Sequence, residues 1–177
     1  VVMTDKQIEQ VLAIKTAEQL NSRIDAATKA VHDKFHGLDG KRHIAICGGT
    51  GCLSSNSQEI MDEFLRLFKE YGLEDKVTVN LVGCFGFCSQ GPFVKIYPED
   101  TLYRGVTVAN VKEIIEKDFI NHEIVESLLY IDPNTNQKCI KQEDIPFYQK
   151  QVRIALHGCG VIDPISVEEA LGYDAMK

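Results

Sequence analysis

Apolar residues recur along this chain in two periods, and the switches between them lay out the elements. Leu20, Ile24, Ala27, Val31 and Phe35 fall on one helical stripe behind a capping box, Thr16-x-x-Gln19, and Gly37-Leu38-Asp39-Gly40 breaks the helix. The stripe is narrow, so this helix is expected to lie against a neighbouring domain or subunit as an adapter. His43-Ile44-Ala45-Ile46 is a short β-like run ending at Cys47. Ser54 to Tyr71 then reads as one helix, with Ser55-x-x-Gln58 at its start, Ile60, Phe64, Leu67, Phe68 and Tyr71 on its face, and Gly72 as its stop. Val77, Val79 and Leu81 alternate as a strand leading to Cys84. Phe93 to Tyr97 and Leu102 to Val106 read as a hairpin joined through Pro98-Glu99-Asp100-Thr101. Val111, Ile114, Ile115 and Phe119 mark a last helix.

The order β-α-β-β-β-α predicts an α+β fold, an α/β sandwich with one sheet backed by two helices. Three segments follow: a helical adapter over 1–40, a compact domain over 41–121, and an irregular linker over 122–177. The linker carries turns at Asp132-Pro133-Asn134-Thr135-Asn136 and Ile162-Asp163-Pro164, but no periodic run long enough to found a core.

Composition narrows the setting. A formal charge of -7, with acidic and basic residues interspersed, argues against a nucleic-acid or anionic-membrane partner. No segment is apolar enough to insert in a membrane, and Val-Val-Met-Thr-Asp-Lys-Gln lacks the pattern of a secretory leader. A reducing cytoplasm is therefore expected, where six cysteines point to metal binding or redox work over structural disulfides.

Four of those cysteines form two close pairs set in glycine, Cys47-Gly48-Gly49-Thr50-Gly51-Cys52 and Cys84-Phe85-Gly86-Phe87-Cys88, each after a strand. Soft thiolates select zinc or an iron-sulfur cluster over calcium or magnesium. The first loop is wide for a zinc knuckle and suits the larger [2Fe-2S] cluster; a zinc-stabilised, non-redox binding module is the alternative. A thioredoxin-type dithiol wants two intervening residues, and neither pair has them. The glycines let backbone N–H groups approach sulfur, and Phe85, Phe87 and Phe93 are placed to screen the site from water.

Cys-x4-Cys, then Gly-Cys-x-Gly-x-Cys, Gly-Pro and a Val-Lys-Ile strand, over about residues 42 to 121, resemble the thioredoxin-like [2Fe-2S] ferredoxin family. Its members occur as free proteins, as a subunit of respiratory complex I, and at the front of the flavin subunit of NAD(P)-linked hydrogenases. The resemblance implies a thioredoxin-like ferredoxin fold with one mixed sheet, and Cys47, Cys52, Cys84 and Cys88 as cluster ligands. Farther on, Ile145-Pro146-Phe147-Tyr148-x-Lys150-Gln151-x-Arg153, Cys159-Gly160-x-Ile162-Asp163-Pro164 and Leu171-Gly172-Tyr173-Asp174-Ala175 resemble the connector that opens the FMN- and NADH-binding domain of such a flavin subunit. The chain is therefore expected to be the truncated front of that subunit, from an electron-bifurcating hydrogenase or an NADH dehydrogenase. It would carry electrons through its own cluster, while FMN and NAD(P)H bind elsewhere in the parent. The implied partners are the other subunits of a multimeric oxidoreductase; a free-standing dimeric ferredoxin, hence a homodimer, is the other architecture.

The remaining candidates have plainer readings. Cys159, in His157-Gly158-Cys159-Gly160, and Cys139 are expected to be structural thiols. His32 and His36 share a helix face without the glutamate of a zinc-hydrolase motif, so they read as residues favoured by the helix C-terminus. His43 is expected at the surface. Gly48-Gly49-Thr50-Gly51 lacks the Gly-Lys-Ser/Thr ending of a phosphate loop and reads as a cluster loop facing the positive end of the Ser54 helix. Pro92 suits a rigid turn, cis or trans.

Overall fold

A computed structural model describes residues 14–173. Helix α1, Ala17–His36, starts at Thr16, whose hydroxyl accepts from the Gln19 N–H in the expected capping box, and stops at Gly37 in the left-handed region. Strands β1 (Arg42–Cys47), β2 (Val77–Val82), β3 (Val94–Tyr97) and β4 (Thr101–Tyr103) form one sheet in the order β2-β1-β3-β4. β1 pairs parallel with β2 and antiparallel with β3, and β3 pairs antiparallel with β4, so the sheet is mixed. The thioredoxin-like expectation holds.

Between β1 and β2 the sequence predicts one helix from Ser54. The chain instead makes a single turn, α2 (Thr50–Leu53), then α3 (Ser57–Glu70). The break falls at Ser54-Ser55-Asn56: the Ser55 hydroxyl donates back to the Gly51 carbonyl at 3.0 Å, and Asn56 is left-handed at φ 66. Short polar side chains that bond locally compete with helix propagation, and Asn tolerates that backbone. Gln58, read as a capping partner, hydrogen-bonds Asp62 instead.

Both sheet faces are covered, because β1 and β3 are apolar at nearly every position. Ile44, Ile46, Val94 and Ile96 face α3 and α4 (Val108–Ile114), meeting Ile60, Phe64, Phe68, Val111 and Ile114 in one core. The helix continues from α4 as a wider π turn over Ile115–Ile120. Ala45, Cys47, Phe93, Tyr97 and Leu102 face the other way and meet Phe85, Cys139, Ile145 and Tyr148. That second layer comes largely from residues beyond 121. The segment expected as a linker joins both cores: Val125, Leu128 and Leu129 enter the first, and Ile145 and Tyr148 the second. It includes β5 (Tyr130–Ile131), β6 (Lys138–Cys139) and α5 (Pro146–Gln149), and the backbone of 140–141 extends the β4 edge, with Leu102 N–H donating to the Ile140 carbonyl at 2.8 Å.

The neighbour of the adapter helix is the chain's own last described helix, α6 (Val167–Gly172). A Cβ on Gly172 would stand 2.4 Å from the Ala27 carbonyl oxygen, so the two helices touch backbone to backbone. Lys34–Glu169 at 2.6 Å and an Arg23–Glu168 pair close the seam. Phe35 also packs on Tyr97, with ring centres 4.8 Å apart. Asp174 and Ala175 of the tail motif lie outside the described residues. No helix among the described residues is long and apolar enough to cross a membrane.

Candidate metal centre

Parallel pairing of β1 with β2 brings the two cysteine loops to one end of the sheet. Cys47 is the last residue of β1, opposite Val82 at the end of β2, and the Gly48 N–H donates to the Val82 carbonyl at 2.8 Å. Cys84 follows β2 after Gly83, while the single turn α2 carries Cys52 back over the strand ends. A 3-10 turn, Cys88–Gln90, closes the second loop. The four cysteines singled out by spacing are thus gathered by topology.

The pairs differ in setting. Cys47 and Cys52 are 1% and 2% exposed, whereas Cys84 is half-buried and Cys88 exposed. Cys84 Sγ and Cys88 Sγ are 3.8 Å apart, and the Gly86 N–H donates to Cys84 Sγ at 3.3 Å. Burial pushes the Cys52 thiol up, and the neighbouring Cys47 sulfur adds to that shift. Cys88 is also raised, first by its hydrogen bond with Cys84. A coordinated cation reverses this preference, since thiolate is the ligating form.

Two glycines make the close approach possible. A Cβ on Gly49 would stand 3.0 Å from Cys84 Sγ, and one on Gly91 would stand 2.7 Å from Cys52 Sγ. Each glycine therefore keeps space beside a sulfur that any side chain would fill. Among the described residues no three His, Cys, Asp or Glu side chains converge on a single ion; Cys84 and Cys88 form a close sulfur pair, and Gly49 and Gly51 of the first loop face them. Soft donors, paired sulfurs, a backbone N–H aimed at one of them and glycine-lined space fit a dinuclear iron-sulfur group.

The aromatic screen is half realised. Phe85 and Phe93 are buried with ring centres 5.5 Å apart, while Phe87 is only partly covered and stacks on Phe147 at 4.2 Å. Pro92 follows a cis peptide bond. Because α3 starts at Ser57, the helix next to Cys52 is a single turn and not the long helix expected there.

His43 corrects another expectation: it is 5% exposed, its Nε2 lies 2.7 Å from Asp39 Oδ2 and its Nδ1 2.5 Å from Thr78 Oγ. A strand residue pointing at a polar neighbour strand can be buried when both ring nitrogens find partners. Burial holds its pKa below the ordinary histidine value, against the pull of Asp39. His32 and His36 stack at 4.1 Å, with His36 Nδ1 2.8 Å from the His32 carbonyl oxygen at the helix end. Cys139 is buried and its S–H donates to the Asp144 carbonyl at 3.4 Å. His157 stacks on Tyr173 at 5.4 Å, while the Cys159 backbone packs on Gly83, whose added Cβ would meet Cys159 Cα at 3.2 Å.

Sequence reasoning missed Arg153. From the C-terminal segment its Nη2 donates to the Phe85 carbonyl inside the second cysteine loop, and its Nη1 donates to the Cys159 carbonyl at 3.3 Å. Its guanidinium lies 5.1 Å from the centre of the buried Tyr148 ring. The only signal was membership in the tail motif that carries Tyr148 and Arg153.

A family model, thioredoxin-like [2Fe-2S] ferredoxin, matches residues 32–118. A 2Fe-2S ferredoxin of Clostridium pasteurianum is 41% identical over 99 residues, 51% of this chain and 97% of that protein. One of the subunits of the NADH-quinone oxidoreductase of Rickettsia typhi is 32% identical over 82 residues, which are 44% of this chain and 47% of that protein. A solved thioredoxin-like [2Fe-2S] ferredoxin from Aquifex aeolicus is 28% identical, with a TM-score of 0.46 over 50% of this chain and 88% of that one.

Proposed function

Because the chain belongs to the thioredoxin-like [2Fe-2S] ferredoxin family, we propose that Cys47, Cys52, Cys84 and Cys88 hold a [2Fe-2S] cluster and that the protein transfers electrons one at a time. The observation that carries this reading is the meeting of two thiol pairs at one sheet end, with the Gly86 N–H on Cys84 Sγ. When bound, such a cluster supplies a one-electron couple; the protein supplies ligation, hydrogen bonds to sulfur and control of water. Cys47 and Cys52 form the dry side, walled by Phe85 and Phe93. The Gly86 N–H stabilises charge on the Cys84 sulfur. Exposed Cys88 is the face through which a redox partner approaches.

We further propose that the domain works at the front of the flavin subunit of a multimeric NAD(P)H-linked oxidoreductase, of the hydrogenase or NADH dehydrogenase kind. FMN and NAD(P)H would bind outside the described residues, and the other subunits would be the redox partners. Two things support this. The tail resembles the connector to a flavin domain, and residues 122–173 lie against the cluster loops and α1. Relatives named as NADH-quinone oxidoreductase subunits favour a multisubunit, NADH-linked setting and do not bear on the flavin subunit.

Anaerobic purification with iron and sulfide analysis, visible absorption and EPR tests the cluster. A brown protein with a reducible EPR signal that Cys84→Ala abolishes is expected. A colourless, zinc-loaded protein would overturn the reading. Copurification of the gene's full product with flavin and partner subunits tests the larger setting.

A further inference from the structure

We propose that Arg153 couples the C-terminal segment to the redox state of the second cysteine loop: its charge raises the reduction potential, and reduction in turn tightens the segment's hold on that loop. This rests on the cluster reading above. Three contacts place the residue. Nη2 donates to the Phe85 carbonyl, one residue after Cys84. A Cβ on Gly86 would stand 3.1 Å from the same Nη2, so only glycine leaves the guanidinium this near the loop. The Gly86 N–H meanwhile donates to Cys84 Sγ at 3.3 Å. A single peptide unit therefore separates the guanidinium from the nearest thiol.

The charge has reason to matter here. Arg153 is half-buried, and both its hydrogen bonds end on carbonyls, which satisfy its donors without neutralising it. Partly buried charges are screened much less than exposed ones. One electron arriving from a one-electron donor adds one negative charge to the loop and neither makes nor breaks a bond. A fixed cation beside it favours that reduced state.

The same coupling runs backward. If the segment's grip favours the reduced loop by some factor, reduction must strengthen the grip by that factor. A tenfold coupling corresponds to about 59 mV for a one-electron couple. Nη1, on the Cys159 carbonyl, ties the segment's own turn to the same guanidinium, so the side chain joins both parties.

The experiment uses the full chain with its cluster. Potentiometric titration followed by EPR compares wild type with Arg153→Gln and Arg153→Lys, and hydrogen exchange of residues 151–161 is followed in both redox states. Arg153→Gln is expected to lower the potential by about 59 mV, a tenfold coupling, and to abolish the slowing of exchange that reduction causes in wild type. Arg153→Lys, which keeps the charge without the two-carbonyl fork, is expected to restore most of the potential. An Arg153→Gln potential equal to wild type overturns the proposal, as does an Arg153→Lys potential as low as that of Arg153→Gln. Should Arg153→Gln lose the cluster, Arg153→Met, which also removes the charge, decides in its place: a lowered potential supports the coupling, and a wild-type one overturns it. A colourless wild type is a separate result, seen before any variant is compared, and overturns the cluster reading itself.

Discussion

The two cysteine loops meet at one sheet end but are held by different means. The first is built from its immediate surroundings: Cys47 belongs to β1, its N–H donates to the Phe93 carbonyl at 3.0 Å, and Gly91 presses on Cys52. The second hangs beyond β2 and is held largely from outside, by Arg153 on Phe85, Cys159 against Gly83 and Phe147 on Phe87. One pair is thus part of the core. The other depends on a segment that follows it by about sixty residues or more. On the proposed ligand set, the core pair would fix where the cluster sits, and the peripheral pair would offer a place to adjust it.

Substitutions should separate the loops most widely in cluster content. Cys52→Ala is expected to leave no cluster, because no water reaches the buried position to replace the lost donor, while Cys88→Ala keeps a reduced iron content in which water serves; equal losses by iron analysis would erase the distinction. Next, Phe85→Ala should cost about 3–5 kcal/mol in urea unfolding of the apoprotein, as expected for a fully buried aromatic. Phe87→Ala, which loses a half-buried ring touching Phe147, Tyr130, Tyr148 and Phe93, should cost less, about 1–2 kcal/mol.

Glycine spacing gives a smaller contrast. Gly91→Ala drives a methyl into Cys52 and should cost about 1–3 kcal/mol. Gly51→Ala meets Cys88 only at 3.8 Å and should change stability by less than about 0.5 kcal/mol. Unfolding midpoints that coincide would show that the first loop gives way as easily as the second.

The smallest effect lies at the opposite end of β1. His43 has its pKa lowered by burial, with Asp39 and Glu169 pulling upward and Lys34 downward. Its unfolded form takes up a proton near 6.5 while the folded form resists. The stability it supports is therefore complete above that pH and declines as pH falls below it. His43→Gln should flatten that decline in apoprotein unfolding between pH 7 and about 5.5, and leave the visible spectrum of the loaded protein unchanged. A spectral change would mean that the two ends of β1 are not independent.

Much of this could be read from the letters. A short apolar run placed β1, alternation β2 and turn residues the hairpin of β3 and β4; the cysteine spacing selected the four thiols that the sheet brings together, and Thr16-x-x-Gln19 marked the start of α1. What stayed hidden depends on contacts remote in sequence or on single-residue geometry. Val125, Leu128, Ile145 and Tyr148 have no common period, so nothing announced that they would cover both sheet faces. Asn56 breaks a helix whose apolar spacing runs on regardless. His43 looked exposed because Thr78, which meets one ring nitrogen, approaches only after β1 and β2 pair, while Asp39 reaches the other from the turn before β1. Arg153 stood in the tail motif, but nothing in that motif said it would reach back to the Phe85 carbonyl.

Where Gly172 faces the Ala27 carbonyl, the room between the helices is the width of a hydrogen substituent. Residue 172 therefore acts as a gauge on everything strung between α1 and the second cysteine loop. A methyl there must lift α6, and because Cys159 and Arg153 lie on the stretch of chain before it, the second cysteine loop is expected to feel that lift. In a mutational scan, this position would behave like a ligand without ever touching one.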